Sequence, residues 1–78
     1  MQIEIRLFGN LKDMVPERKP SISLKTINGP VHVGRIIKEL QLPDDISLIT
    51  TVNGKHATED QSLQEGDVLS IFPPIAGG

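Results

Sequence analysis

The spacing of apolar residues changes period twice along this chain, from two to about 3.6 and back to two. Residues 2–8 alternate, with Ile3, Ile5 and Leu7 on one side and Gln2, Glu4 and Arg6 on the other, which predicts a half-buried strand. Gly9-Asn10, Pro16 and Pro20 then punctuate an irregular connection. Ile22 and Leu24, with Thr26, resume the alternation as a second strand. A hairpin joining the two is the economical pairing, because sequential strands usually neighbour one another. Asn28-Gly29-Pro30 breaks that strand. Beyond it, Val33, Ile36, Ile37 and Leu40 fall at i, i+3, i+4 and i+7, one stripe of an amphipathic helix that Pro43 ends. Residues 46–52 return to β-branched and apolar types, closed by the turn signal Asn53-Gly54. A short polar stretch follows with Leu63 as its core anchor. Glu65-Gly66-Asp67 turns the chain, and residues 68–72 form a last strand. Pro73-Pro74 has no N–H to give a ladder, so the sheet stops there.

One helix covering one face of a mixed four- or five-stranded sheet is the α+β arrangement that buries these stripes. The order strand, strand, helix, strand, short element, strand is also that of the β-grasp, or ubiquitin-like, architecture. Seventy-eight residues make one domain. It divides into a folded unit over residues 1–74 and a flexible, protruding tail over residues 75–78.

The remaining sequence narrows function mainly by exclusion. Ten acidic and eight basic residues, two phenylalanines, and no tyrosine or tryptophan argue against nucleic acid binding, which favours basic faces and stacking aromatics. Lys12, Arg18, Lys19 and Lys25 read as a solvated turn region. With no cysteine there is neither a disulfide framework nor thiolate zinc coordination. His32 and His56 are the only imidazoles and lack partners at ligand spacing, so they read as solvated turn histidines and no metal site is expected. Ser21, Ser23, Ser47, Ser62 and Ser70 sit outside any strand–turn–helix nucleophile context. Asp44-Asp45 and Glu59-Asp60 are adjacent carboxylates that do not face each other across a cleft; they suit loops and helix caps. No cofactor-binding residues stand out, and no stand-alone active site is visible. No apolar run is long enough to span a bilayer and no leader is seen, so the expected location is cytoplasmic, without membrane contact.

The positive signal lies in the tail. Gly77 and Gly78 have no Cβ, so two slim, permissive peptide units could enter a tunnel in another protein and present a carboxylate there. No helix follows them, so they are not a phosphate cradle. The alternation places Leu69 and Ile71 inward on the last strand and Val68, Ser70 and Phe72 outward. Phe8 falls opposite Leu7 or at its strand's end. If the first and last strands are parallel neighbours, both phenylalanines share the uncovered sheet face beside the tail, where they suit partner binding; the alternative is that they plug the ends of the core.

The chain resembles the small ubiquitin-like sulfur carriers of the MoaD/ThiS group, and within it the molybdopterin synthase small subunits. The resemblance runs through Leu7-Phe8 and Leu11, the helix start Val33-Gly34, Val52-Asn53-Gly54, Leu63-Gln64-Glu65-Gly66-Asp67 and Phe72-Pro73-Pro74-Ile75-Ala76-Gly77-Gly78. His32 departs from the hydroxyl residue that often caps this helix in relatives, and residues 15–30 follow no clear family pattern. The resemblance implies that an ATP-using, E1-like enzyme adenylates the Gly78 carboxylate. A persulfide donor then converts it to a thiocarboxylate, which the synthase large subunit uses to build molybdopterin. Gly78 is then the reacting residue and Gly77 gives access. Phe8, Phe72, Pro73, Pro74, Ile75 and Ala76 form the docking surface. No cofactor is bound by the chain itself; ATP belongs to the activating enzyme. The same chemistry could serve thiamin thiazole, a tungsten-pterin cofactor or another sulfur pathway, and a protein modifier forming isopeptide bonds would share the adenylation step.

Overall fold

Apolar alternation at the N-terminus is matched on both flanks by partner strands. The computed structural model describes residues 1–14, 22–42 and 47–74. In it β1 (Gln2–Leu7) lies antiparallel to β2 (Ile22–Thr26) on one side and parallel to β5 (Val68–Phe72) on the other. β3 (Ile49–Val52) pairs antiparallel with β5 and with the two-residue β4 (Lys55–His56). The five-stranded order is β2-β1-β5-β3-β4, a mixed sheet as the element order predicts. The predicted strand over residues 46–52 is shorter as formed, starting at Ile49, and Ile46 lies outside the described residues. β4 is the short element of the predicted order. Asn53 and Gly54 have φ of 54° and 83°, the paired left-handed geometry of a two-residue hairpin turn, which Asn-Gly adopts at least cost.

α1 (Val33–Glu39) lays its predicted stripe on one face of this sheet. Val33, Ile36, Ile37 and Leu40 are buried against Ile3, Ile5, Leu7, Leu69 and Ile71, with Leu11 and Leu63 closing the same core. Leu63 is thus the anchor its isolation in a polar stretch predicts; its N–H donates to the Val31 carbonyl at 2.9 Å. The helix does not run to Pro43. It ends one turn earlier, with Leu40 as C-cap and Gln41 in the left-handed region at φ 59°.

The helix start is held by three acceptors from different places. Val33 N–H donates to the Gln61 carbonyl at 3.0 Å and Gly34 N–H to the Glu59 carbonyl at 2.9 Å. Arg35 N–H donates to His32 Nδ1 at 3.3 Å. His32 is therefore a helix cap and not simply a solvated turn residue, filling the role a hydroxyl commonly plays. Glu59 caps through its backbone and not through the carboxylate that the sequence suggests. Gly34 suits this close approach, because a Cβ would stand 3.2 Å from Glu59 Cβ and push that neighbour back by a few tenths of an ångström. His32→Ala should cost about 0.5 kcal/mol, the low end for losing an N-cap because this bond is long and exposed. Urea unfolding of His32→Ala beside His32→Asn, which keeps a capping acceptor, checks this: only the alanine variant should lose stability.

The second strand overturns one expectation. Ile3 faces Lys25 and Ile5 faces Ser23 across the β1–β2 ladder, so Ile22 and Leu24 pair with Arg6 and Glu4. Their stripe points away from the helix and is 56% and 64% exposed, respectively. The alternation is real, and its phase is the reverse of a buried stripe. On the helix side Lys25 bridges the sheet edge to the helix, Nζ standing 3.6 Å from the Glu39 carboxylate. Of the residues read as a basic turn cluster, Lys25 is therefore in a strand, Lys12 lies in a 3-10 turn (Leu11–Asp13), and Arg18 and Lys19 fall outside the described residues. No helix among the described residues is long and apolar enough to cross a membrane.

Candidate functional site

The parallel pairing of β1 and β5 brings two chain exits side by side. Leu7 pairs with Ile71, and the next N–H, of Phe8, donates to the Ile71 carbonyl at 3.0 Å. Phe8 and Phe72 then stack, their ring centroids 4.4 Å apart and their planes 13° from parallel. Phe8 is 40% exposed and Phe72 half-buried, so the stack is a ledge at the rim of the uncovered face. Both expected positions, outward and adjacent, follow from the parallel register. Such a pair contributes roughly 0.5–1.5 kcal/mol beyond its buried area.

Immediately past the stack, Gly9 turns β1 away at φ +62° and Pro73 carries β5 out of the sheet. The two residues meet: a Cβ on Gly9 would lie 2.8 Å from Pro73 Cγ. Sequence reasoning treated Gly9 only as part of a turn; its approach to Pro73 depends on a long-range pairing that no local pattern encodes. Pro74 is exposed, and Ile75, Ala76, Gly77 and Gly78 lie outside the described residues.

The open face continues from the ledge across the sheet. Val68 and Ser70 stand on β5, and Glu4 and Arg6, ion-paired with each other, stand on β1. Beyond them Ile22 and Leu24 complete an exposed apolar margin on β2. Those two residues were missed as surface candidates because their strand reads as core. The Glu4–Arg6 pair keeps its opposite charges together at the centre of this face.

Other features of the described residues gather no chemistry. A shallow polar concavity of about 420 Å³ lies by the β3–β4 turn, lined in part by Asn53, Lys55, His56 and Asp67. It sits at the start of β5, whereas the chain leaves from that strand's end. Asn53 there is structural: its Nδ2 donates to Asp67 Oδ1 at 2.9 Å and its Oδ1 accepts from Val68 N–H at 2.9 Å. No group of three or more histidine, aspartate or glutamate side chains able to hold a metal ion occurs among the described residues.

The sequence profile of the ThiS family matches residues 5–78, nearly the whole chain. The chain belongs to the ThiS family. No curated protein matches the sequence significantly. Among solved structures, this ThiS-family chain is similar to SAMP1 from Haloferax volcanii, with 24% identity, a TM-score of 0.73 and full coverage of both chains. It is also similar to a putative molybdopterin converting factor subunit 1 from Pyrococcus furiosus, at 18% identity and a TM-score of 0.74, over 95% of this chain and 98% of that one. The complex of subunits 1 and 2 of the molybdopterin-converting factor from Helicobacter pylori gives a third likeness, at 22% identity, a TM-score of 0.64 and full coverage of both chains. At these identities the likenesses establish the fold. This ThiS-family chain has the small ubiquitin-like β-grasp fold of the MoaD/ThiS type.

Proposed function

We propose that this protein is a sulfur carrier whose Gly78 carboxylate is converted to a thiocarboxylate, and that it serves as the small subunit of a molybdopterin synthase. The observation that carries this reading is the family match running through Gly77-Gly78, joined to a sheet whose last strand ends in Pro73-Pro74 beside an exposed aromatic ledge. Likeness to two molybdopterin converting factor subunits and the Pro-Pro-Ile-Ala-Gly-Gly ending support the molybdopterin branch.

The chemistry follows from what a carboxylate lacks. Its carbon is a poor electrophile and its oxygen a poor leaving group. An E1-like enzyme supplies ATP, the carboxylate oxygen bonds to the α-phosphorus, and pyrophosphate leaves. The terminal sulfur of a partner's persulfide then attacks the acyl carbon and displaces AMP, forming an acyl disulfide. A thiol attacks the sulfur on the partner's side. Two electrons reduce the S–S bond, the thiocarboxylate departs on Gly78, and a disulfide remains on the donor. The chain has no cysteine, so it contributes no thiol to any of these steps. It acts as co-substrate within a complex and not as a stand-alone catalyst. Phe8 and Phe72 with Pro73, Pro74, Ile75 and Ala76 dock the activating enzyme and the synthase large subunit in the cytoplasm, while Gly77 lets the terminus approach the reacting centre.

Intact-mass measurement after expression with a cell's own sulfur machinery tests the reading. Replacement of one oxygen by sulfur, localised to Gly78, supports it. Lysine conjugates through Gly78, without free thiocarboxylate, would instead make the protein a modifier, and an unreactive terminus would remove carrier chemistry altogether.

Phe72→Ala separates docking from folding. Loss of the stack and of the ring's partial burial should together cost about 2 kcal/mol of stability, below the cost of truncating a fully buried ring. A truncated anchor at an interface costs about 2 kcal/mol or more of binding, roughly thirty-fold in Kd. Calorimetry of the large-subunit complex beside thermal unfolding should show a loss in binding at least as large as the loss in stability. A stability loss of about 3–5 kcal/mol would place Phe72 in the core instead.

A further inference from the structure

Gly9 combines two unusual features, and both point at the chain's exit. Its φ of +62° lies in the left-handed region, and the space where its side chain would stand is filled by proline. A Cβ there would come within 2.8 Å of Pro73 Cγ and 3.3 Å of Pro73 Cδ. These are not the far end of a flexible chain. The pyrrolidine ring fixes its own φ, so relief must come from the backbone at residue 73 or at residue 9. Freedom upstream is also limited. Phe72 and Pro73 each precede a proline and are restricted to extended conformations. Phe8 N–H holds the Ile71 carbonyl, and the Phe8 ring holds Phe72. The exit is thus braced on one side by the aromatic stack and on the other by the glycine gap.

We infer that Gly9 is a positioning residue for the acyl-bearing terminus: its missing side chain seats Pro73 and thereby fixes the direction in which the chain leaves the sheet. The inference rests on the sulfur-carrier reading and adds to it a residue far from the tail in sequence. The lever is long. Gly78 lies five residues beyond Pro73, within reach of at most about 17 Å, so the direction set at Pro73 decides the region from which the terminus can enter a partner. Displacements of about 1 Å at a reacting centre can cost about a hundred-fold in rate.

The test uses Gly9→Asn, because asparagine tolerates the left-handed backbone and adds the Cβ with little other strain. The second variant is Pro73→Ala, which removes the ring atoms the Cβ would strike; the third is the double variant. In the full-length protein, Gly9→Asn should shift the Pro73 and Pro74 ring-carbon resonances while the core methyl signals stay in place. With the activating enzyme it should lower kcat for adenylation about ten-fold, with KM changed less than kcat because the Phe8–Phe72 stack keeps its place. The double variant should return kcat to that of Pro73→Ala alone. An unmoved Pro73, wild-type kcat in Gly9→Asn, or simple additivity in the double variant would overturn the inference while leaving the carrier reading intact. Failure of the wild-type protein to be adenylated, with the proline resonances still responding to Gly9→Asn, would overturn the carrier reading and, with it, the role assigned to Gly9.

Discussion

Leu69→Ala should remove most of the domain's stability, a loss of about 3–4 kcal/mol. Leu69 is fully buried on β5, with Ile5 beside it on β1 and Val52 beside it on β3. Truncating such a residue removes its transfer free energy and leaves a cavity that a clamped central strand cannot collapse around. For 78 residues the typical reserve is about 4–12 kcal/mol, and small domains lie toward its lower end. Urea titration should show the midpoint falling by more than half with the slope retained. Leu24→Ala, also a leucine in a strand of the same sheet, should move the midpoint hardly at all, since Leu24 is largely exposed. Equal losses at the two positions would mean that the open face is covered, and the assignment of sides would fail.

That contrast marks where the sequence is legible and where it is not. Ile22-Ser23-Leu24 and Leu69-Ser70-Ile71 look alike as strings, apolar residues around a serine. Their fates differ because burial is decided by which strand each neighbours. β5 lies between β1 and β3, under the helix, so its apolar residues have a core to enter. β2 lies at the edge, and pairing Ser23 and Lys25 with Ile5 and Ile3 sends Ile22 and Leu24 outward. The helix was legible because four apolar residues at helical spacing admit one buried face, whatever the neighbours are. Its end was not: Pro43 marks where a helix cannot continue, whereas the left-handed turn at Gln41 stops it earlier. At the site, the side of Phe8 and Phe72 follows from alternation once the parallel pairing is assumed, but the fit of Gly9 to Pro73 joins residues 64 apart and has no local signature. His32 as a cap was hidden for a different reason, since imidazole is an uncommon choice for that position.

Removal of Gly78 should abolish activation without touching the fold. Among the described residues the buried core runs from Ile3 to Ile71, well short of the terminus, and the melting temperature should stay at the wild-type value. The new carboxylate, on Gly77, would stand back by about 3.3–3.6 Å, one residue's reach. Reaction needs the attacked and attacking atoms about 3–3.5 Å apart, and the enzyme's nucleotide does not follow the retreating end. ATP–pyrophosphate exchange with the activating enzyme should therefore fall about a hundred-fold or more. Gly78→Ala is the sharper variant, because it keeps the chain length and the carboxylate and adds only a methyl group. Its loss of exchange would identify the narrowness of the partner's tunnel as the reason for the diglycine, whereas near-normal exchange would leave reach alone as the requirement. Adding one glycine after Gly78 completes the series: an overlong tail must buckle to bring its carboxylate to the same place, so exchange should drop there too, with docking strength unchanged. If the shortened protein still accepts AMP and sulfur at the wild-type rate, Gly78 is not the acyl group on which this chemistry acts.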